Sequence, residues 1–152
     1  MDKLDHRILK ELQDNFPLST EPYDILAGKL RITPEQLWSR IQAMLRDGLI
    51  RRMGAILDSG KLGFSSTLAA VSIPADRVER AAGIIAELPE VTHSYLRSDE
   101  FNIWFTIVAP DDERLNFVLE HIRSGLCLER CRILNLPAKR LFKLDSRFDT
   151  TL

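Results

Sequence analysis

Apolar positions in the first 57 residues recur with a helical period. Leu4, Ile8 and Leu12, with Leu9 beside them, follow i, i+4, i+8 spacing, and Asp2 or Asp5 can support the helix start. Pro17 and Pro22 bracket a segment, FPLSTEP, that cannot continue this helix. A short second helix is predicted over about Tyr23–Leu30. Thr33 then precedes Pro34 and Glu35, with Gln36 three residues on, the signature of a capping box with proline at the first helical position. The third helix carries Leu37, Ile41, Met44 and Leu45 on one face and stops at Gly48. LIRRMGAIL, residues 49–57, reads as a short strand or wing. Three helices and a wing give a winged helix-turn-helix domain over residues 1–57.

From Leu62 the rhythm changes to short alternating runs separated by helical ones. Strands are predicted over Ser66–Ile73, Val91–Arg97, Phe101–Val108 and Cys131–Leu136, with helices over Asp76–Glu87 and Asp111–Ser124. The order βαββαβ is the ferredoxin-like arrangement, an antiparallel sheet with both helices on one face. The fold class is therefore α+β, with this second domain over residues 62–137. Asp58–Gly63, with its two glycines, is the boundary, and residues 138–152 form a tail. The tail begins in a basic, amphipathic stretch, PAKRLFKLDSRF, suited to folding back over the sheet.

Composition narrows the function classes. With 21 Lys and Arg against 22 Asp and Glu the chain is near neutral, so its overall charge does not suit a polyanion binder. The charged, helical N-terminus is not a signal peptide, and no apolar run approaches the roughly 18–20 residues that span a bilayer. Cys127 and Cys131, spaced C-x3-C without a second Cys/His pair, are a poor zinc signature and no disulfide framework. The expectation is a cytoplasmic protein with reduced cysteines, no membrane contact and no metal site of its own.

A DNA reader needs cations on the helix that enters the groove. The third helix carries Arg40 and Arg46 against Glu35 and Asp47 and is neutral, and residues 1–57 hold nine Lys/Arg against eight Asp/Glu. Gln36, Ser39, Arg40 and Gln42 are suited to base contacts, yet the charge balance argues against specific DNA binding. The hairpin VTHSYLR…FNIWFT is richer. Alternation puts Val91, His93, Tyr95 and Arg97 on one face and Thr92, Ser94 and Leu96 on the other, while Phe101, Ile103, Phe105 and Ile107 form an apolar face for the helices. A two- or four-residue loop sets Arg97 opposite Asn102, Tyr95 opposite Trp104 and His93 opposite Thr106. These six would then share the helix-free face. Arginine clamps carboxylates, histidine moves protons near neutral pH, and Trp and Tyr offer flat apolar surface. The same residue types also suit an oligomer interface. His6 and His121 read as surface or packing residues.

The two-domain order resembles the Lrp/AsnC transcription regulators. More specifically, the chain resembles the sirohaem decarboxylases, through LDHRILKELQDNFPL with Pro22–Tyr23, DGLIRRMGAILDSGKLGF, VTHSYLR with FNIWFT, and LPAKRLFK. It departs at Arg31, where a glycine is usual before the third helix. The resemblance implies loss of carbon dioxide from the C12 and C18 acetates of sirohaem, giving 12,18-didecarboxysirohaem in haem or haem d1 biosynthesis. No cofactor beyond the iron tetrapyrrole substrate is implied. The implied partner is a homologous second subunit, in a heterodimer or a higher assembly. On this reading His93 and Tyr95 are the catalytic candidates, with His93 donating a proton and Tyr95 orienting it or donating in its place. Arg51, Arg52, Arg97, Asn102, Trp104, Lys139, Arg140 and Lys143 are the substrate-binding candidates. His93 is also a candidate axial ligand to the substrate iron. The alternative is an Lrp/AsnC-type DNA-binding regulator with a ligand-sensing domain.

Overall fold

The computed structural model describes residues 1–143 and 147. The remainder of the expected tail, 144–146 and 148–152, lies outside the described residues. The chain forms two compact units. One is Met1–Ala55 with the described residues Lys143 and Arg147, and the other is Ile56–Phe142. The stretch expected to be a separate tail is thus divided, Lys139 and Arg140 going with the second unit and Lys143 with the first.

In the first unit, α1 (Lys3–Asp14), α2 (Pro22–Leu30) and α3 (Pro34–Arg46) surround one small core. A capping box starts α1: Asp2 Oδ1 accepts from the Leu4 and Asp5 amides at 2.8 and 2.9 Å, while Asp5 Oδ2 accepts from the Asp2 amide at 2.8 Å. The expected box on α3 also forms, with Thr33 Oγ1 accepting from the Gln36 amide at 3.2 Å and Gln36 Oε1 from the Thr33 amide at 3.1 Å. Ile8, Leu26, Ala27, Leu30, Leu37, Ile41 and Met44 are buried together. Leu49–Leu57 forms no strand. A wing strand needs neighbouring backbone to take its amides and carbonyls, and this unit offers no strand among the described residues.

The end of α2 is sharp and has a defined backbone pattern. At the end of α2 the Arg31 amide donates to Gly28 O at 3.2 Å and the Ile32 amide to Ala27 O at 3.1 Å. This Schellman arrangement puts Arg31 at φ 58°, ψ 47°, the left-handed region that normally belongs to glycine.

The second unit runs β1 (Ser65–Val71), α4 (Val78–Ala86), β2 (Val91–Leu96), β3 (Ile103–Ala109), α5 (Asp112–Gly125) and β4 (Ile133–Leu136). The sheet is antiparallel in the order β2-β3-β1-β4. Single 3-10 turns, Ala75–Arg77 and Arg130–Arg132, precede α4 and β4, so both elements begin two residues later than the sequence pattern suggests. Along β3 burial alternates perfectly. Ile103, Phe105, Ile107 and Ala109 join Ala69 and Val71 of β1 under Ala81, Ile85, Leu115, Val118 and Ile122 of the helices. Each large side chain buried there contributes roughly 1.5–3 kcal/mol. Among the described residues the opposite face of the sheet carries no helix, and it holds the candidate site.

Candidate functional site

Register decides which side chains meet on the helix-free face. His93 pairs with Thr106, Tyr95 with Trp104, and Leu96 with Ile103; the Arg97 amide then donates to Asn102 O at 2.7 Å. The expected pairing therefore holds, and His93, Tyr95, Trp104 and Thr106 share the open face. Val91 is the exception. It pairs with Ile107 and packs on the helix-covered core, because a bulge at Thr92 inserts one residue between the Val91 and His93 pairs. Strict alternation places Val91 with His93. The extra residue flips everything before it to the other face.

The bulge also brings the Thr92 hydroxyl to the imidazole. Thr92 Oγ1 lies 2.9 Å from His93 Nδ1 and 3.5 Å from Thr106 O. One assignment satisfies both contacts: Nδ1–H donates to the hydroxyl, which donates to the carbonyl. Nε2 is then left without a partner among the described residues, as an acceptor when the ring is neutral and a donor when it is charged. Sequence alternation missed Thr92, since it put that residue on the helix side.

Aromatic surface lies beside this histidine. The His93 and Tyr95 rings stack at 6.4 Å between centroids and 17° between planes. Trp104 is half-buried, its indole N–H donating to Phe101 O at 2.7 Å, which fixes the ring's orientation. The face continues onto β1 and β4 through Leu68, paired with both Thr106 and Leu136; Ala70, paired with both Trp104 and Leu134, is fully buried beneath it. Leu68, Tyr95 and Leu136 are exposed large apolar residues. The result is a flat, mainly apolar floor with one imidazole.

Asn102 plays a different part from the one anticipated. Its Oδ1 accepts from the Ile73 amide at 3.0 Å and its Nδ2 donates to Ile73 O at 2.8 Å. This two-bond clasp ties the start of β3 to the end of β1, so the amide is committed to structure. Arg97 is exposed and its guanidinium makes no hydrogen bond or ion pair among the described residues. Beyond the β4 end of the same rim is Arg132, whose Nη1 donates to Ser72 Oγ at 3.0 Å and Glu100 Oε1 at 3.3 Å.

The other cations fall in different places. Lys139 and Arg140 are exposed in the second unit, with Arg140 4.8 Å over the Phe142 ring. Arg51, Arg52 and Lys143 are exposed in the first unit. His121 stacks on Phe117 on the surface of α5. Both cysteines are free and exposed, and no group of three or more metal-ligating side chains occurs among the described residues. No helix among the described residues is long and apolar enough to cross a membrane.

In the first unit, Arg40 of α3 donates to Asp2 at 2.8 Å and Asp5 at 2.7 Å. The Arg40 hydrogen bond holds the Asp2 carboxyl below its usual value, and the two carboxylates raise Arg40 in turn. A depression of about 450 Å³ lined by Leu4, Ile32, Glu35, Gln36, Ser39 and Arg40 adjoins this pair. Its one cation is already neutralised, so it suits neither a phosphate backbone nor a polycarboxylate.

Residues 5–51 match the siroheme decarboxylase NirDL-like HTH domain, and residues 61–143 match the AsnC-like ligand binding domain. The chain is 41% identical to the siroheme decarboxylase alpha subunit of Nitratidesulfovibrio vulgaris, over 98% of this chain and 84% of that protein. The crystal structure of the siroheme decarboxylase NirDL in co-complex with iron-uroporphyrin III analogue superposes with a TM-score of 0.73 at 30% identity, covering 93% of this chain and 46% of that one. An AsnC family transcriptional regulator from Agrobacterium tumefaciens superposes with a TM-score of 0.76 at 27% identity over the full length of both chains.

Proposed function

The chain belongs to the sirohaem decarboxylase subunits, and on that premise we propose that it decarboxylates sirohaem on the helix-free face of its second unit. The reaction removes the C12 and C18 acetate carboxyls, giving 12,18-didecarboxysirohaem in haem or haem d1 biosynthesis. The observation that carries the reading is the shared face of His93, Tyr95, Trp104 and Thr106. A flat macrocycle with carboxylates around its edge needs an apolar floor, cations at the rim and a proton source, and these residues supply the first and the last.

Each decarboxylation breaks the bond between the acetate methylene and its carboxylate. The electron pair left behind delocalises into the conjugated ring as carbon dioxide departs. A proton must then reach the methylene carbon to make a methyl group. In our reading protonated His93 delivers it from Nε2, while the Thr92 hydroxyl holds Nδ1 and Tyr95 keeps the ring plane. Arg97 binds a peripheral carboxylate, and Trp104 provides floor. Of the cations in the second unit, Lys139 and Arg140 remain candidate clamps for the other carboxylates. Asn102 contributes by holding the β1–β3 end in shape. Neutral His93, with Nδ1–H engaged and Nε2 free, has the form of an axial ligand to the substrate iron, the competing role for the same atom.

We also propose a homologous second subunit as partner. A NirDL chain is more than twice the length that this chain covers, which leaves room there for a second such unit. The regulator alternative draws on the fold shared with AsnC family proteins. The pairing of Arg40 with Asp2 and Asp5 disfavours it, since α3 is left with Arg46 as its remaining cation. Anaerobic incubation with sirohaem, alone and with a co-produced homologous subunit, tests the proposal by mass spectrometry. Loss of two carbon dioxide equivalents is expected. Unchanged sirohaem in both incubations, with salt-dependent binding to promoter DNA, would favour the regulator.

A further inference from the structure

Beyond the last full row of the sheet, Leu96–Ile103–Val71–Ile133, the ladder continues by one ragged step. The Arg97 amide donates to Asn102 O, and the Ser72 amide donates to Arg132 O at 3.0 Å. Leu96, Ile103, Val71 and Ile133 belong to the helix-side row, so alternation turns the following step to the open face. Arg97 therefore stands at the β2 edge of this rim, and Arg132 is placed at the β4 edge by its side-chain contacts. Neighbouring strands lie about 4.8 Å apart, so the two backbones are separated by about 14 Å across four strands. Arg132 leans inward along the rim: its Nη1 crosses to Ser72 Oγ at the end of β1 and to Glu100 in the β2–β3 turn.

We propose that Arg132 is a second carboxylate clamp of the tetrapyrrole site, paired with Arg97 across the rim and occupied by Glu100 when no substrate is bound. The inference rests on the tetrapyrrole reading above and adds a residue to it. Three features support it. Arg132 already holds a carboxylate oxygen, 3.3 Å from Nη1, in a pair whose side chains are half or more exposed, so substrate can reach it. Its Nε and Nη2 make no hydrogen bond among the described residues, leaving donors for a two-point contact. The separation of the two arginines, shortened by the inward lean, matches the scale of a macrocycle bearing carboxylates on opposite sides. Glu100 then acts as a competitor: a polycarboxylate must displace it, and a ligand with fewer carboxylates has less to gain by doing so. Arg132 lies in the 3-10 turn before β4, so strand alternation does not place it; its contacts with Ser72 Oγ and Glu100 do.

The test is optical titration of the full chain, with its partner subunit where the two co-purify, using iron-uroporphyrin III and iron-coproporphyrin III as probes. Arg132→Gln should weaken iron-uroporphyrin III binding by about tenfold, the loss of one charge-assisted contact, and change iron-coproporphyrin III binding less. Glu100→Gln should tighten iron-uroporphyrin III binding by about two- to fivefold, since an exposed ion pair is a weak competitor. A purely structural Arg132–Glu100 pair predicts the opposite sign for Glu100→Gln, so this variant keeps the proposal testable even if Arg132→Gln folds poorly. Wild-type binding with Glu100→Gln unchanged or weaker overturns the clamp and leaves the decarboxylase reading standing. Absence of wild-type binding to iron-uroporphyrin III overturns both.

Discussion

Replacing Arg31 with glycine should stabilise the first unit, although it removes a charged side chain. Arg31 sits at φ 58°, ψ 47°. There a β-carbon crowds the following carbonyl at a cost of about 1–2 kcal/mol. Its own side chain is exposed and makes no hydrogen bond or ion pair among the described residues, so nothing there offsets that cost. Glycine relieves the crowding but adds about 0.5–1 kcal/mol of unfolded-state entropy. The net gain is about 0.5–1 kcal/mol, or roughly 1–4 °C in Tm for a chain of this size. Urea unfolding is the assay, with the midpoint rising at constant m-value. Arg31→Ala is the control: it removes the charge and keeps the β-carbon, so it should gain nothing. Equal effects of the two substitutions, or a loss with glycine, would refute the strain argument.

Other expectations follow from single contacts. Asn102→Ala leaves the Ile73 amide and carbonyl without partners and should cost about 1–3 kcal/mol in urea unfolding, with substrate affinity changing only as far as the β1–β3 end loosens. Burial raises the Glu90 carboxyl, but the Arg114 hydrogen bond and charge, with a backbone contact, outweigh it and leave Glu90 below its usual value. A lowered carboxylate stabilises above the unfolded value of about 4.3 and loses that contribution as pH falls through its folded value. Arg114→Met should therefore cost about 1 kcal/mol at pH 7, a figure kept small by the exposure of Arg114. The gap from wild type should narrow below about pH 4, to the small part due to Arg114 stacking on Phe117. Thr92→Val should lower sirohaem turnover by about tenfold with a displaced pH profile, and Thr92→Ser should restore both, because only the hydroxyl holds His93 Nδ1.

Periodicity and capping made most of the architecture readable. The helical spacing of Leu4, Ile8 and Leu12 and the Thr33–Gln36 box located α1 and α3, and the alternation of Ile103, Phe105 and Ile107 fixed which face of β3 meets the helices. Hairpin parity alone puts His93, Tyr95 and Trp104 together, as the pairing of β2 with β3 does. What escaped was local and depended on partners. A bulge is a property of two strands, so no pattern within β2 alone reveals that Thr92 interrupts the pairing and sends Val91 to the core. The Leu49–Ala55 stretch has strand-like residues but no strand among the described residues of its unit to pair with. Asn102 looked like a ligand contact because its face was known and its reach to Ile73 was not.

His93 is the proton donor of this mechanism and lies on the helix-free face. The most direct measurement is sirohaem turnover by His93→Ala, with sirohaem binding measured by optical titration on the same preparation. Turnover should fall by about a hundredfold or more, the range for losing a general acid, while binding through the rim cations and aromatic floor stays within a few fold. Full turnover in His93→Ala would contradict the assignment.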